Sequence, residues 1–235
     1  MVVSGDYKRR RDPTCPAFEP VPCDVFITEA TFGLPVFRHG DAADEAKKLL
    51  ASVALFPERA HLVGAYSLGK AQRVIALLRQ AGHAAPIYLH GAMATITHYY
   101  ASRGIGFGEL RPVRGTKKAE LAGAIAIAPP TATSDLWTRR FPDPLTAFAS
   151  GWMRVRARAR QRGVELPLVI SDHADWDGLT ATILATGAPE IWVTHGQEDA
   201  LVHWCKSRGL AARPLDIAGY GDEEDSATAQ GEAEA

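Results

Sequence analysis

The sequence is poor in cysteine, in long apolar runs and in net charge. Its three cysteines, Cys15, Cys23 and Cys205, form no paired framework and no Cys-x-x-Cys spacing. That excludes a disulfide scaffold and gives a reducing, cytoplasmic compartment as the expectation. No window approaches the ~20 apolar residues that a membrane span requires, so no membrane partner is expected. The opening apolar run precedes Lys8-Arg9-Arg10-Arg11, the reverse of a secretory signal's order. No internal repeat is visible. Gly64 to Gly69 is too short for a phosphate-binding P-loop and lacks its Lys-Ser/Thr ending.

The formal net charge of −1 conceals an asymmetry. From Gly219 to Ala235 the chain carries Asp222, Glu223, Glu224, Asp225, Glu232 and Glu234, and no Lys or Arg. With those six acids set aside, 26 basic residues face 21 acidic ones. The tail, residues 218–235, has almost nothing to bury and is expected to be disordered. The mildly basic body permits a nucleic-acid partner without requiring one. The 46% hydrophobic content suits an ordinary globular core.

Alternating strand and helix patterns predict an α/β fold. Strands are expected at 1–5, 24–28, 60–65, 86–90, 123–128, 146–150, 167–171, 190–194 and 212–216. A helix over 42–55 follows Asp41 as its N-cap and puts Ala42, Ala46, Leu49, Leu50 and Val53 on one face. Further helices are expected at 68–81, 91–103, 176–186 (capped by Asp175 and closed by Gly187) and 197–208. Residues 37–165 hold enough strand–helix alternation for a small α/β domain of their own. Residues 1–36 and 166–217 flank it, as two parts of one parent fold around an insertion.

Four strand ends carry the chemistry: Ser4-Gly5-Asp6-Tyr7, Ile27-Thr28-Glu29-Ala30-Thr31-Phe32-Gly33, Ser171-Asp172-His173-Ala174-Asp175 and Val193-Thr194-His195-Gly196. In each, an apolar strand runs into a polar residue beside small neighbours, which let a ligand approach closely. One such end is ordinarily structural. Two acids and two histidines in one chain fit a metal-hydrolysis constellation better.

In this order the four elements resemble the later motifs of metallo-β-lactamase nucleases with a β-CASP insertion. Ala65-Tyr66-Ser67-Leu68-Gly69-Lys70-Ala71-Gln72 resembles the turn and helix that open that insertion. The stretches from Asp172 to Leu179 and from Trp192 to Glu198 are most similar to the bacterial DNA-ligase-associated exonucleases. The resemblance spans residues 2 to 216. It implies an αββα sandwich with the inserted domain at 37–165, and zinc-dependent cleavage of DNA in repair beside a DNA ligase. It further implies two zinc ions, with Asp6 and His195 as metal ligands and Glu29 and His173 beside the scissile phosphate, all four in a shared pocket.

The family's main metal motif, His-x-His-x-Asp-His, does not occur among the eight histidines. The expectation is therefore a sandwich lacking its N-terminal metal-binding half, with weak or no nuclease activity and an uncovered apolar face and strand edge. Arg154, Arg156 and Arg158 begin a run of alternating arginines to Arg162, and Lys8, Arg9 and Arg10 follow Asp6. Both are either solvated surface or contacts to a DNA backbone. The five tryptophans read as core or interface. Two alternatives stand beside the exonuclease: a catalytically inactive module that binds nucleic acid or a partner, and a plain α/β domain whose histidines and acids are structural.

Overall fold

The structure is a computed structural model that describes residues 1–134 and 136–215. The expected disordered tail at 218–235 lies outside the described residues. In chain order the elements are β1 (Val2–Val3), β2 (Val25–Ala30), α1 (Ala42–Leu55), β3 (His61–Gly64), α2 (Lys70–Gln80), β4 (Ile87–Leu89) and α3 (Gly91–Ser102). There follow β5 (Leu110–Pro112), β6 (Ile125–Ala128), β7 (Leu145–Ala149), α4 (Arg156–Gln161), β8 (Leu166–Leu168), α5 (Trp176–Thr186), β9 (Glu190–Gly196), α6 (Glu198–Lys206) and β10 (Ala211–Pro214). The class is α/β with parallel sheets. Among the described residues no helix is long and apolar enough to cross a membrane.

The chain forms two compact units. Among the described residues, the first comprises 1–5, 20–34 and 179–215; the second comprises 6–19 and 35–178. The boundary falls inside α5.

The first unit holds a parallel four-stranded sheet in the order β1-β2-β9-β10. β2 and β9 form its centre. Phe26 and Ile191 are partners in register and are both buried. α6 turns Leu201, Val202 and Cys205 inward. Burial pushes the Cys205 thiol up to about 11, so it packs as an inert apolar group.

The second unit holds a parallel six-stranded sheet in the order β5-β4-β6-β3-β7-β8. β3 and β6 are buried at every position, as a parallel sheet covered on both faces requires. The period of two sorts the strand residues between two packed layers. Val63, Ile87, Leu89, Ile125, Ile127 and Ala147 meet Ala46 and Leu49 of α1, Val74 and Leu78 of α2, and Met93 of α3 in one cluster. Leu62, Tyr88 and Ala126 pack instead with Val113, Leu121 and Phe141. Truncating a buried leucine or isoleucine here to alanine costs about 2–5 kcal/mol.

Local chemistry sets the element ends. Asp41 caps α1 by accepting a hydrogen bond from the Ala43 N–H at 2.9 Å. His90 caps α3 through Nδ1 and packs edge-on against Trp137, its ring centroid 5.0 Å away. The strand expected at 1–5 is only Val2–Val3. The strand expected at 167–171 stops at Leu168, because the Ile170 N–H turns back to the Leu168 carbonyl. β5 has no counterpart in the sequence pattern: its Arg111 and Pro112 are exposed on an edge and show no alternation.

Candidate functional site

Of the four strand-end residues, Glu29 and His195 belong to the first unit, and Asp6 and His173 to the second. In the first unit, Glu29 and His195 lie at the C-terminal ends of the adjacent parallel strands β2 and β9. This is the end at which α/β sheets hold their ligands. Glu29 is opposite Thr194, but Ala30 is opposite Gly196, so His195 is the extra residue of a bulge. Its φ is +60°, one of two positive values among the described non-glycine residues. A side chain in that region strains the backbone by roughly 1 kcal/mol or more, so such residues cluster where function requires them.

The surroundings enforce this conformation. The Ala30 carbonyl accepts from both the Gly33 and Gln197 N–H groups at 2.9 Å. Gly196 passes so close that a Cβ would lie 2.4 Å from that carbonyl oxygen, and its φ is +114°. A Cβ on Gly33 would lie 2.5 Å from the Gln197 carbonyl oxygen. Both positions therefore require glycine. The Glu29 side chain is buried at 2% exposure, whereas His195 opens to solvent.

In the second unit, Asp6 and His173 face each other, Oδ1 to Nδ1, at 3.8 Å. His173 sits on a turn. The Ser171 hydroxyl accepts from the His173 N–H at 3.0 Å and donates to the His173 carbonyl at 2.9 Å. The acids on either side of His173 are both anchored, Asp172 by buried cations. Lys70 donates to the Ile170 carbonyl and pairs with Asp172 Oδ2, both at 3.0 Å. Arg73, one turn further along α2, donates to the Ser171 carbonyl and reaches Asp172 Oδ1 at 3.3 Å. Its Nε also faces Asp12 at 3.7 Å. Lys70 is 4% exposed and Arg73 1%. Burial pulls the Lys70 pKa below the usual lysine value even with Asp172 beside it.

Asp175 is the second anchor. Its carboxylate accepts from Arg10 at 2.9 Å, from the His39 N–H at 2.9 Å and from the Gly178 N–H at 2.9 Å, which caps α5. Burial acts to raise its pKa, but these hydrogen bonds prevail and hold it below the usual carboxylate range. Asp12 follows the same pattern: burial opposes ionisation, while Thr14 and Lys8 outweigh it. His39 is buried and held near neutrality, its pKa pushed down to about 4 first by desolvation and then by Arg10, Arg154 and Lys70, against the pull of Asp175. A cleft of about 20 Å³, room for about one water molecule, opens among Lys8, Arg10, His39, Ser171, His173 and Asp175.

The basic residues expected to meet DNA have varied surroundings. Lys8 pairs with Asp12 at 3.0 Å, and Arg10 binds the His39 carbonyl and Asp175; Arg9 is exposed. The run from 154 to 162 is a short 3-10 turn ending at Arg154 followed by α4, so the arginines spread around a helix instead of forming a ridge. Arg154 and Arg156 are exposed, and Arg158 stacks over Trp152 at 4.0 Å.

Sequence reasoning did not single out Lys70, Arg73, Asp12 or the anchoring role of Asp172. The available signal was the polar triplet Lys70, Gln72 and Arg73 inside a helix whose residues 70–78 are all buried.

No family model matches the chain. The chain is similar to a probable DNA ligase of Opitutus terrae, with 26% identity over 218 residues. That match covers 90% of this chain and 21% of the ligase, so the chain spans about a fifth of that relative's length. It is also similar to a solved structure of a protein of unknown function from Enterococcus faecalis, with a TM-score of 0.47 and 16% identity over 85% of this chain and 51% of that one.

Proposed function

We propose that this chain contributes acid and imidazole groups to a zinc-dependent DNA exonuclease of the metallo-β-lactamase, β-CASP type that acts beside a DNA ligase in repair. The observation that carries this reading is His195. An imidazole is kept in a strained bulge, on the strand paired with that of the buried Glu29, at the ligand-binding end of a parallel sheet. The relative named a probable DNA ligase supports the link to DNA metabolism.

The residue types suit zinc. Imidazole nitrogen and carboxylate oxygen are both ordinary zinc ligands, and Asp6 and His195 would hold the metal. Catalytic zinc takes about three protein ligands per ion, so two ions require donors beyond Asp6 and His195. When bound, zinc supplies an activated hydroxide and neutralises charge on the phosphate. Glu29 and His173 act on the substrate side. His173, with Asp6 near its Nδ1, keeps its ring oriented and can donate a proton to a phosphate or leaving oxygen from Nε2. The αββα sandwich, with residues 37–165 as its insertion, belongs to the same proposal.

A second reading, a module that binds DNA without cutting it, draws on the exposed arginines around α4. One experiment separates the two. Zinc is titrated into the 235-residue chain, which is then offered a fluorescein-labelled single-stranded DNA. The exonuclease reading expects zinc binding that Asp6→Ala and His195→Ala each weaken at least about tenfold. It also expects slow cleavage that a chelator abolishes. DNA binding that ignores zinc and both variants favours the module.

A further inference from the structure

We propose that Lys70 and Arg73 of α2 are positioning residues for His173. This assignment rests on the reading of His173 as a substrate-side residue. Two cations three residues apart, at 4% and 1% exposure, are expensive to hold in a protein interior unless each is matched. Both converge on one short segment. Lys70 takes the Ile170 carbonyl and one Asp172 oxygen; Arg73 takes the Ser171 carbonyl and the other Asp172 oxygen. Three consecutive residues before His173 are thus fixed from a single helix face, by groups on carbonyls and carboxylate alike.

No regular ladder does this work. β8 ends at Leu168, and residues 169–175 lie outside any strand. Besides the two cations, the Ser171 hydroxyl turn and the Asp175 anchor on its far side also hold the segment. Arg73 also faces Asp12, which holds Lys8 and Thr14, so the same guanidinium ties the chain following Asp6 to the chain preceding His173. An arginine suits this role because its planar fork serves several acceptors at once. Removing the lysine while leaving Arg73 in place should loosen the segment without erasing it.

The experiment compares wild type, Lys70→Met, Lys70→Arg and a remote core control, Ile125→Val, in the full chain. Backbone order at Asp172, His173 and Ala174 is measured by ¹⁵N relaxation without substrate. Zinc-supported cleavage of labelled single-stranded DNA is measured in parallel. In Lys70→Met the His173 order parameter is expected to fall from about 0.85 to below about 0.6. kcat should fall about 10- to 100-fold, the usual effect of removing an outer partner of a site residue. KM should stay within about twofold, because substrate binding is not what is lost. Lys70→Arg should restore order and kcat together. Unchanged order in Lys70→Met overturns the proposal, as does equal loss in Ile125→Val. If Lys70→Met does not fold, Asp172→Asn receives the same measurements with the same expectations. If wild type does not cleave DNA, the functional reading fails, and the order parameters alone decide this proposal.

Discussion

The two units fix a histidine in opposite ways. In the first, His195 is held by backbone geometry: a bulge, a left-handed φ and two glycines that admit no Cβ. In the second, His173 is held by side chains: buried cations on Asp172 to one side, Arg10 with two backbone N–H groups on Asp175 to the other. The first device stores strain, so relaxing it should stabilise the protein. The second stores charge away from water, so breaking it should destabilise strongly. Each histidine is thereby fixed more firmly than its neighbours alone require.

The largest effect should come from the ionic side. Arg73→Met leaves Asp12 and Asp172 without their shared cation and should lower unfolding free energy by about 3–5 kcal/mol in urea titration. A loss below about 1 kcal/mol would mean that solvent reaches these charges after all.

Next comes the pH dependence of the same region. The folded pKa of His39 is depressed to about 4, so the folded state resists protonation that the unfolded chain accepts from about 6.5 downward. Stability from this group is present at neutral pH and declines as pH falls from about 6.5 to about 4, by about 3 kcal/mol in all. His39→Gln should remove that slope while keeping the backbone N–H bond to Asp175. The depressed Asp12 and Asp175 act further down: their contribution is complete above the unfolded carboxylate pKa and is lost below it.

The strained side gives the smaller effect and the opposite sign. His195→Gly relieves the positive φ and should raise stability by about 1 kcal/mol, net of the added freedom of the unfolded chain. The smallest change is expected outside both devices. Arg158→Ala loses a half-exposed stack on Trp152 and should cost about 0.5–1 kcal/mol in the same titration.

Elements governed by local rules were legible in the sequence. α1 and α5 run over the expected residues because Asp41 and Asp175 satisfy their first-turn N–H groups. The buried strands β3 and β6 announced themselves as short apolar runs bounded by turns. The Thr-His-Gly pattern at 194–196 marked a close approach, and Gly196 has one. What sequence could not separate is a buried cation from a solvated one: Lys70 and Arg73 look like the polar stripe of an amphipathic helix, and only packing around α2 reveals otherwise. The run at 154–162 was equally open, since alternating arginines fit a strand or a helix until Ala159 is seen to be the buried residue of α4.

Zinc affinity of His195→Gly, measured by titration calorimetry on the same preparation used for its stability, decides whether the strain at this bulge serves a metal. The account predicts a more stable protein that binds zinc at least about tenfold more weakly, because the strain is kept for the imidazole it presents. Undiminished zinc binding in the stabilised variant would contradict it.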